Sequence, residues 1–242
     1  MTEAKKTQTN QGEKTIGAFV AEDYRSAAIF EKYGIDFCCG GEVTLGAACR
    51  EKGLDPETLV REIEATKKSP IERNENYAAW DLPDLADHIV SAHHAWLNEN
   101  TAQIATYARK IAEVHGANHP EVVEIAGIFD EIAADMMEHL REEEEVLFPA
   151  VKRLEEARKA GTKPREEDRA TIRDCLETLH SDHQAIGDAV HAIRRLSGDY
   201  AIPEDVCNTF VVTYRKLREF EDDLHKHVHL ENNILFPKAA QI

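Results

Sequence analysis

The sequence predicts an all-α chain: an antiparallel four-helix bundle preceded by a small N-terminal helical domain. Strand signals are scarce along the 242 residues. Four long segments space their apolar residues helically and are separated by turn chemistry. The second half of these segments also repeats the first, as expected of paired helices that share one core.

In chain order, residues 1–13 read as a disordered lead-in. TIGAFVAEDYRSAAIFEKYGI, a Gly-rich turn and VTLGAACREKGLDPETLVREIEATKK then read as short helices of a unit over 14–68. A linker is expected over 69–79, where KKSPIERNEN brings a proline and mixed polar residues. The bundle is expected over 80–242. Its first helix ends at GANHP, its second at AGTKP and its third at SGDYAIP, and its fourth runs to LFPKA.

The repeat resolves the segment HKHVHLENNILFP, whose alternating histidines mimic a strand. Shifted back by 88 residues, HVHLENNILFP falls on HLREEEEVLFP, with His227 on His139 and Glu231 on Glu143. Apolar pairs follow in register: Phe129/Leu217, Ile132/Phe220, Met136/Leu224 and Val146/Ile234. At about 100° per residue, Glu231 lies about 40° from His227 on the apolar face, while His225 and His229 point away. The other two helices repeat at an offset of 89, placing Val90 on Leu179, His94 on His183, Leu97 on Ile186 and Ile104 on Ile193. His93 falls on Asp182, so His94 is the duplicated position.

Two H-x-x-x-E pairs and two more histidines thus point to one bundle interior. Residues at i and i+4 share a helix face, so each pair offers imidazole and carboxylate to a common point. Unpaired burial of two carboxylates costs several kcal/mol each, and cations relieve it. Imidazole and carboxylate without thiolate suit iron, zinc or manganese, and bundle cores are where di-iron and di-manganese sites are built. A single buried histidine is ordinarily a hydrogen-bonded core residue; a duplicated set is not so easily explained.

The duplicated H-x-x-x-E…LFP, together with KYGIDFCCGGEVTL near the N-terminus, resembles the Repair of Iron Centres family of di-iron proteins, whose bundle is hemerythrin-like. That resemblance implies iron ligands at His94, His139, Glu143, His183, His227 and Glu231, with a seventh at His115 in AEVHGANHP, which has no repeat partner. It also implies a non-haem di-iron centre with two bridging carboxylates and an oxo or hydroxo bridge. Of about twelve octahedral positions, five histidines and two bridging carboxylates fill nine. The bridge and one open position complete the set. Oxygen-carrying hemerythrins have H-x-x-x-H on the third helix; here His183 is followed at i+4 by Gly187, against simple oxygen carriage.

The implied function is repair of iron–sulfur clusters damaged by oxidative or nitrosative stress, by donation of labile iron. Damaged iron–sulfur proteins, nitric oxide, oxygen or peroxide, and an electron donor would then be partners. A di-iron nitric oxide or peroxide reductase and a nitric oxide or oxygen sensor are the alternatives. Cys38 and Cys39 are either inert residues at a turn freed by Gly40 and Gly41 or reactive thiols. Cys49, Cys175 and Cys207 read as structural. Five cysteines without regular spacing form no disulfide framework. His88, His93, His119, His180, His191, His225 and His229 are expected on solvated or supporting faces, with Glu144 and Glu145 turned away. Asp135, His180, Asp182 and Asp223 are candidates to orient ligands. Pro149 and Pro237 are expected to bend or end their helices.

A formal charge of −17 argues against a nucleic-acid partner. No apolar run reaches the roughly 20 residues that span a bilayer, and the first residues lack the apolar core of a secretory signal, so a cytoplasmic protein is expected.

Overall fold

The computed structural model describes residues 11–67 and 75–241. Most of the expected lead-in and linker therefore lies outside the described residues. The chain divides into two compact units, one running to Leu85 and including Val228–Gln241, the other spanning Ala86–His227. The boundary between them falls inside the last helix rather than at the expected linker alone. Among the described residues no β-strand forms, only an isolated bridge between Thr15 and Thr44.

The N-terminal unit contains α1 (Ile16–Glu22), α2 (Ala27–Lys32), α3 (Leu45–Lys52) and α4 (Pro56–Thr66). Three of the four starts have a side-chain cap. Thr15 and Thr44 accept from Ala18 N and Ala47 N, and Asp55 accepts from Thr58 N with Pro56 opening the first turn. Gly34 and Gly53 adopt φ of 62° and 66° beyond α2 and α3, the left-handed conformation that ends a helix. Phe19, Phe30, Leu45, Leu59 and Ile63 form the core.

Four longer helices follow, and all but the start of the first and the end of the last lie in the second unit. Helix α5 runs through Leu82–His88, Ile89–His94 and Ala95–His115, and α6 through Glu121–Glu142, Glu143–Leu147 and Phe148–Lys159. Helix α7 is Glu166–Leu196. Helix α8 runs through Asn208–Leu230, Glu231–Leu235 and Phe236–Ala239. Short connections, closed by Gly161 and Gly198 at positive φ, make sequential helices antiparallel. Phe129, Ile132, Met136, Leu217, Phe220 and Leu224 are all buried, as their repeat register requires. Among the described residues no helix is long and apolar enough to cross a membrane.

The middle segments of α5, α6 and α8 are π turns. Phe148 N bonds Glu143 O and Phe236 N bonds Glu231 O, each reaching back five residues. Pro149 and Pro237, next along, lack an N–H and crowd the carbonyl four residues back. The prolines therefore widen one turn and end neither helix. A widened turn shifts the register, which explains two departures from expectation. Val146 is exposed beside buried Leu147, and Ile89 rather than Val90 is fully buried. The turn in α5 contains no proline, and it brings both His93 and His94 inside.

Candidate metal centre

All six duplicated residues are buried: His94, Glu143, His227 and Glu231 have no exposure, and His139 and His183 are 2% and 1% exposed. They form two groups whose donor atoms lie within 4.8 Å of one another. His94 and His227 make one group, His139 and His183 the other, and Glu143 and Glu231 belong to both. His94 Nε2 is 3.2 Å from His227 Nε2, and His183 Nε2 is 3.0 Å from His139 Nε2. Glu143 Oε2 stands 3.4 Å from Nε2 of both His94 and His139.

This donor set fits a pair of metal ions. Two nitrogens about 2.1 Å from one metal and at right angles stand about 3.0 Å apart, matching both histidine pairs. The two carboxylates are sealed from water, and each is shared between the histidine pairs. Every pair crosses the repeat: His94 of the first half meets His227 of the second, and His139 meets His183. Neither half makes a site alone.

Supporting residues come partly from where the sequence pointed. Asp182 Oδ2 lies 3.5 Å from His139 Nδ1, so it faces His139 rather than its neighbour in sequence, His183; burial raises its pKa. Asp223 bonds His93 Nδ1 at 2.9 Å, and the His93 ring stacks on His227 with ring centroids 5.7 Å apart. Glu144, expected to turn away, instead reaches His94 Nδ1 at 2.8 Å. A carboxylate on Nδ1 fixes the tautomer that presents Nε2 to a metal. Its repeat counterpart, Asn232, donates to Cys38 O at 3.3 Å, and Asn233 donates to Phe37 O at 3.0 Å. One register position thus diverged into two tasks. Only the partner's location could reveal either.

His115 joins neither group. It ends the long α-helical part of α5, where its Nε2 is 3.1 Å from Cys207 Sγ and its ring packs against Phe210. Cys207 is exposed rather than structural. The His115 hydrogen bond, followed by backbone N–H groups at the start of α8, lowers its pKa to about 7. Of the two alternatives for His225 and His229, a solvated face is excluded, since both are buried, and His229 lies against the rings of Tyr24 and Phe37.

Cys38 and Cys39 are buried and not joined in a disulfide, with sulfurs 3.8 Å apart, and Cys38 Sγ donates to Asp36 Oδ1 at 3.2 Å. The Cys39 contact and then burial hold the Cys38 thiol well above its ordinary pKa, so it is protonated at neutral pH. The three residues also form a group able to hold a metal. Neither Gly40 nor Gly41 has positive φ. Gly41 instead makes room, since a Cβ there would meet Asn233 Oδ1 at 2.3 Å and Phe37 O at 2.8 Å.

Comparison with known proteins agrees with this geometry. Residues 12–67 match the ScdA N-terminal domain family, described as a domain of unknown function (DUF542), and residues 85–239 match the hemerythrin HHE cation-binding domain. The iron-sulfur cluster repair protein ScdA of Staphylococcus haemolyticus is 34% identical over 94% of this chain and 98% of its own. The ScdA of Staphylococcus epidermidis is 32% identical over 93% and 97%. The iron-sulfur cluster repair protein YtfE of Yersinia pestis is 28% identical over 94% and 97%. With both domains matched in order and the relatives covered almost end to end, the chain belongs to the ScdA-type iron–sulfur cluster repair family, built on a hemerythrin HHE cation-binding bundle.

Proposed function

We propose that this protein repairs damaged iron–sulfur clusters by giving up iron held as a pair between His94, His139, His183 and His227, with Glu143 and Glu231 bridging. The observation that carries this reading is the sharing of both carboxylates by the two histidine pairs. Two imidazoles and one oxygen from each carboxylate supply four donors per iron, leaving two of about six positions outside the protein's own set. Bound there, iron supplies Lewis acidity and one-electron chemistry. The protein's part is to hold and orient: Glu144 and Asp182 face the Nδ1 atoms of His94 and His139, and the closed core keeps bulk water off the carboxylates. Imidazole and carboxylate grip iron less tightly than thiolate and sulfide do, so iron can pass to a cluster that lacks it.

The relatives' names support damaged iron–sulfur proteins as the clients. Cys38 and Cys39 suit a docking or receiving role at the client, with proton loss when they bind metal. That reaction takes place in the cytoplasm on this reading.

The test is restoration of a damaged cluster enzyme by iron-loaded protein, by metal-free protein and by the Glu143→Gln variant. Only the loaded form should restore activity, losing iron as it does so. Equal repair by the metal-free form would overturn iron donation. Two non-protein positions per iron also suit a diatomic ligand, so sustained nitric oxide consumption with an electron donor would favour the reductase reading.

A further inference from the structure

A second cluster of side chains with metal-ligating chemistry lies on α7 and α8, outside the paired centre. His191, Glu221 and His225 bring donor atoms within 4.8 Å of one another. His225 Nε2 is 3.9 Å from Glu221 Oε1, one helical turn away, and the His191 and His225 rings have centroids 5.8 Å apart. Glu221 is fully buried and His225 is 8% exposed, while His191 is half-buried.

We infer that His191, Glu221 and His225 form a mononuclear site for a divalent first-row transition metal, separate from the paired centre. Two histidines and one carboxylate on one side of an ion leave its remaining positions open, the set that suits ferrous iron or zinc. The internal repeat gives independent support. The positions equivalent to His191, Glu221 and His225 in the first half are Ala102, Ala133 and Met137. All three donors are therefore present together in one half and absent together from the other, and core packing alone does not require them.

Arg194 also pairs with Glu221, its Nε and Nη2 each 2.8 Å from a carboxylate oxygen. This accounts for the burial of Glu221 but not for the two imidazoles beside it. Carboxylates that bind metals are normally held by such an outer hydrogen bond. Arg194 fixes the carboxylate, its Nε bonding Oε1 at 2.8 Å and Oε2 at 3.0 Å, and Oε1 is the oxygen that stands 3.9 Å from His225 Nε2. Half-buried His191 gives this site a route to solvent that the sealed ligands of the paired centre lack, so its ion exchanges readily. The inference does not rest on the repair reading.

The test uses full-length protein whose paired centre has first been filled with iron, titrated with cobalt(II). Beyond any cobalt held by Asp36, Cys38 and Cys39, wild type should take up one further ion per chain with visible ligand-field bands. His191→Ala and, separately, His225→Gln should lose those bands while His191→Ala keeps its iron content. Saturation without cobalt uptake would overturn the site, as would unchanged bands in His191→Ala. Should a variant fail to fold, anomalous scattering from a cobalt-soaked wild-type crystal decides. A peak between His191, Glu221 and His225 supports the site, and a peak only elsewhere refutes it.

Discussion

His115 Nε2 lies 3.1 Å from Cys207 Sγ, joining the end of α5 to the residue whose carbonyl opens α8. An imidazole and the N-terminal amides of a 23-residue helix both favour thiolate there. Alkylation of Cys207 should therefore show a pH–rate midpoint of about 7. A lowered thiol pKa means that the reactive form persists as pH falls to 7, where an ordinary cysteine at about 8.5 is mostly protonated. His115→Leu should move the midpoint up, toward about 8.5, with the helix amides retaining part of the depression. The other four cysteines are buried, so iodoacetamide kinetics on the folded protein report this thiol. An unchanged midpoint would show that the pair does not form in solution.

The same placement separates His115 from the two buried His/Glu groups. His115→Ala should keep the metal content and absorption of the wild type, whereas His94→Ala should lose metal. Metal analysis after gel filtration distinguishes them, and parallel losses would return His115 to the ligand set.

Glu143 gives a prediction of opposite sign with and without metal. Burying an ionised carboxylate costs several kcal/mol unless a cation answers it. Glu143→Gln keeps the shape and removes the charge, so the metal-free variant should melt at or above the wild-type Tm. The rise in Tm on metal loading should largely vanish; for wild type at a thousand times Kd that rise corresponds to about 4 kcal/mol. Melting curves with chelator and with excess metal provide both comparisons.

In the N-terminal unit, the close approach of Gly41 to Asn233 is also testable. Gly41→Ala should destabilise by about 1–3 kcal/mol through overpacking. Because the two residues share one contact, Gly41→Ala with Asn233→Ala should cost less than the sum of the single changes. Additive losses in denaturant titrations would show that the contact is not made.

The helices and the burial of the duplicated imidazoles and carboxylates were legible because both obey short-range rules. Apolar spacing placed Phe129, Ile132, Phe220 and Leu224 inside, and the 88-residue shift selected His139, Glu143, His227 and Glu231. What misled was the assumption of unbroken 3.6-residue turns. The π turns before Pro149 and Pro237 and the one ending at His94 move side chains around the axis, exposing Val146 and burying His93. His115 matched a motif, but its position near the end of α5 puts it beside Cys207.

By itself the sequence determined an all-α chain, a duplicated bundle and six buried imidazole and carboxylate donors, because periodicity and repetition are properties of residue order. Only the tertiary structure decided how those donors combine. Antiparallel packing sets His94 against His227 and His139 against His183, across the two halves. It likewise turns Glu144 to His94 and Asn232 to the Cys38 carbonyl, although the two occupy the same place in the repeat. The physical reason is that a side chain's partner depends on which neighbouring helix faces it, and the spacing within one helix carries no record of that.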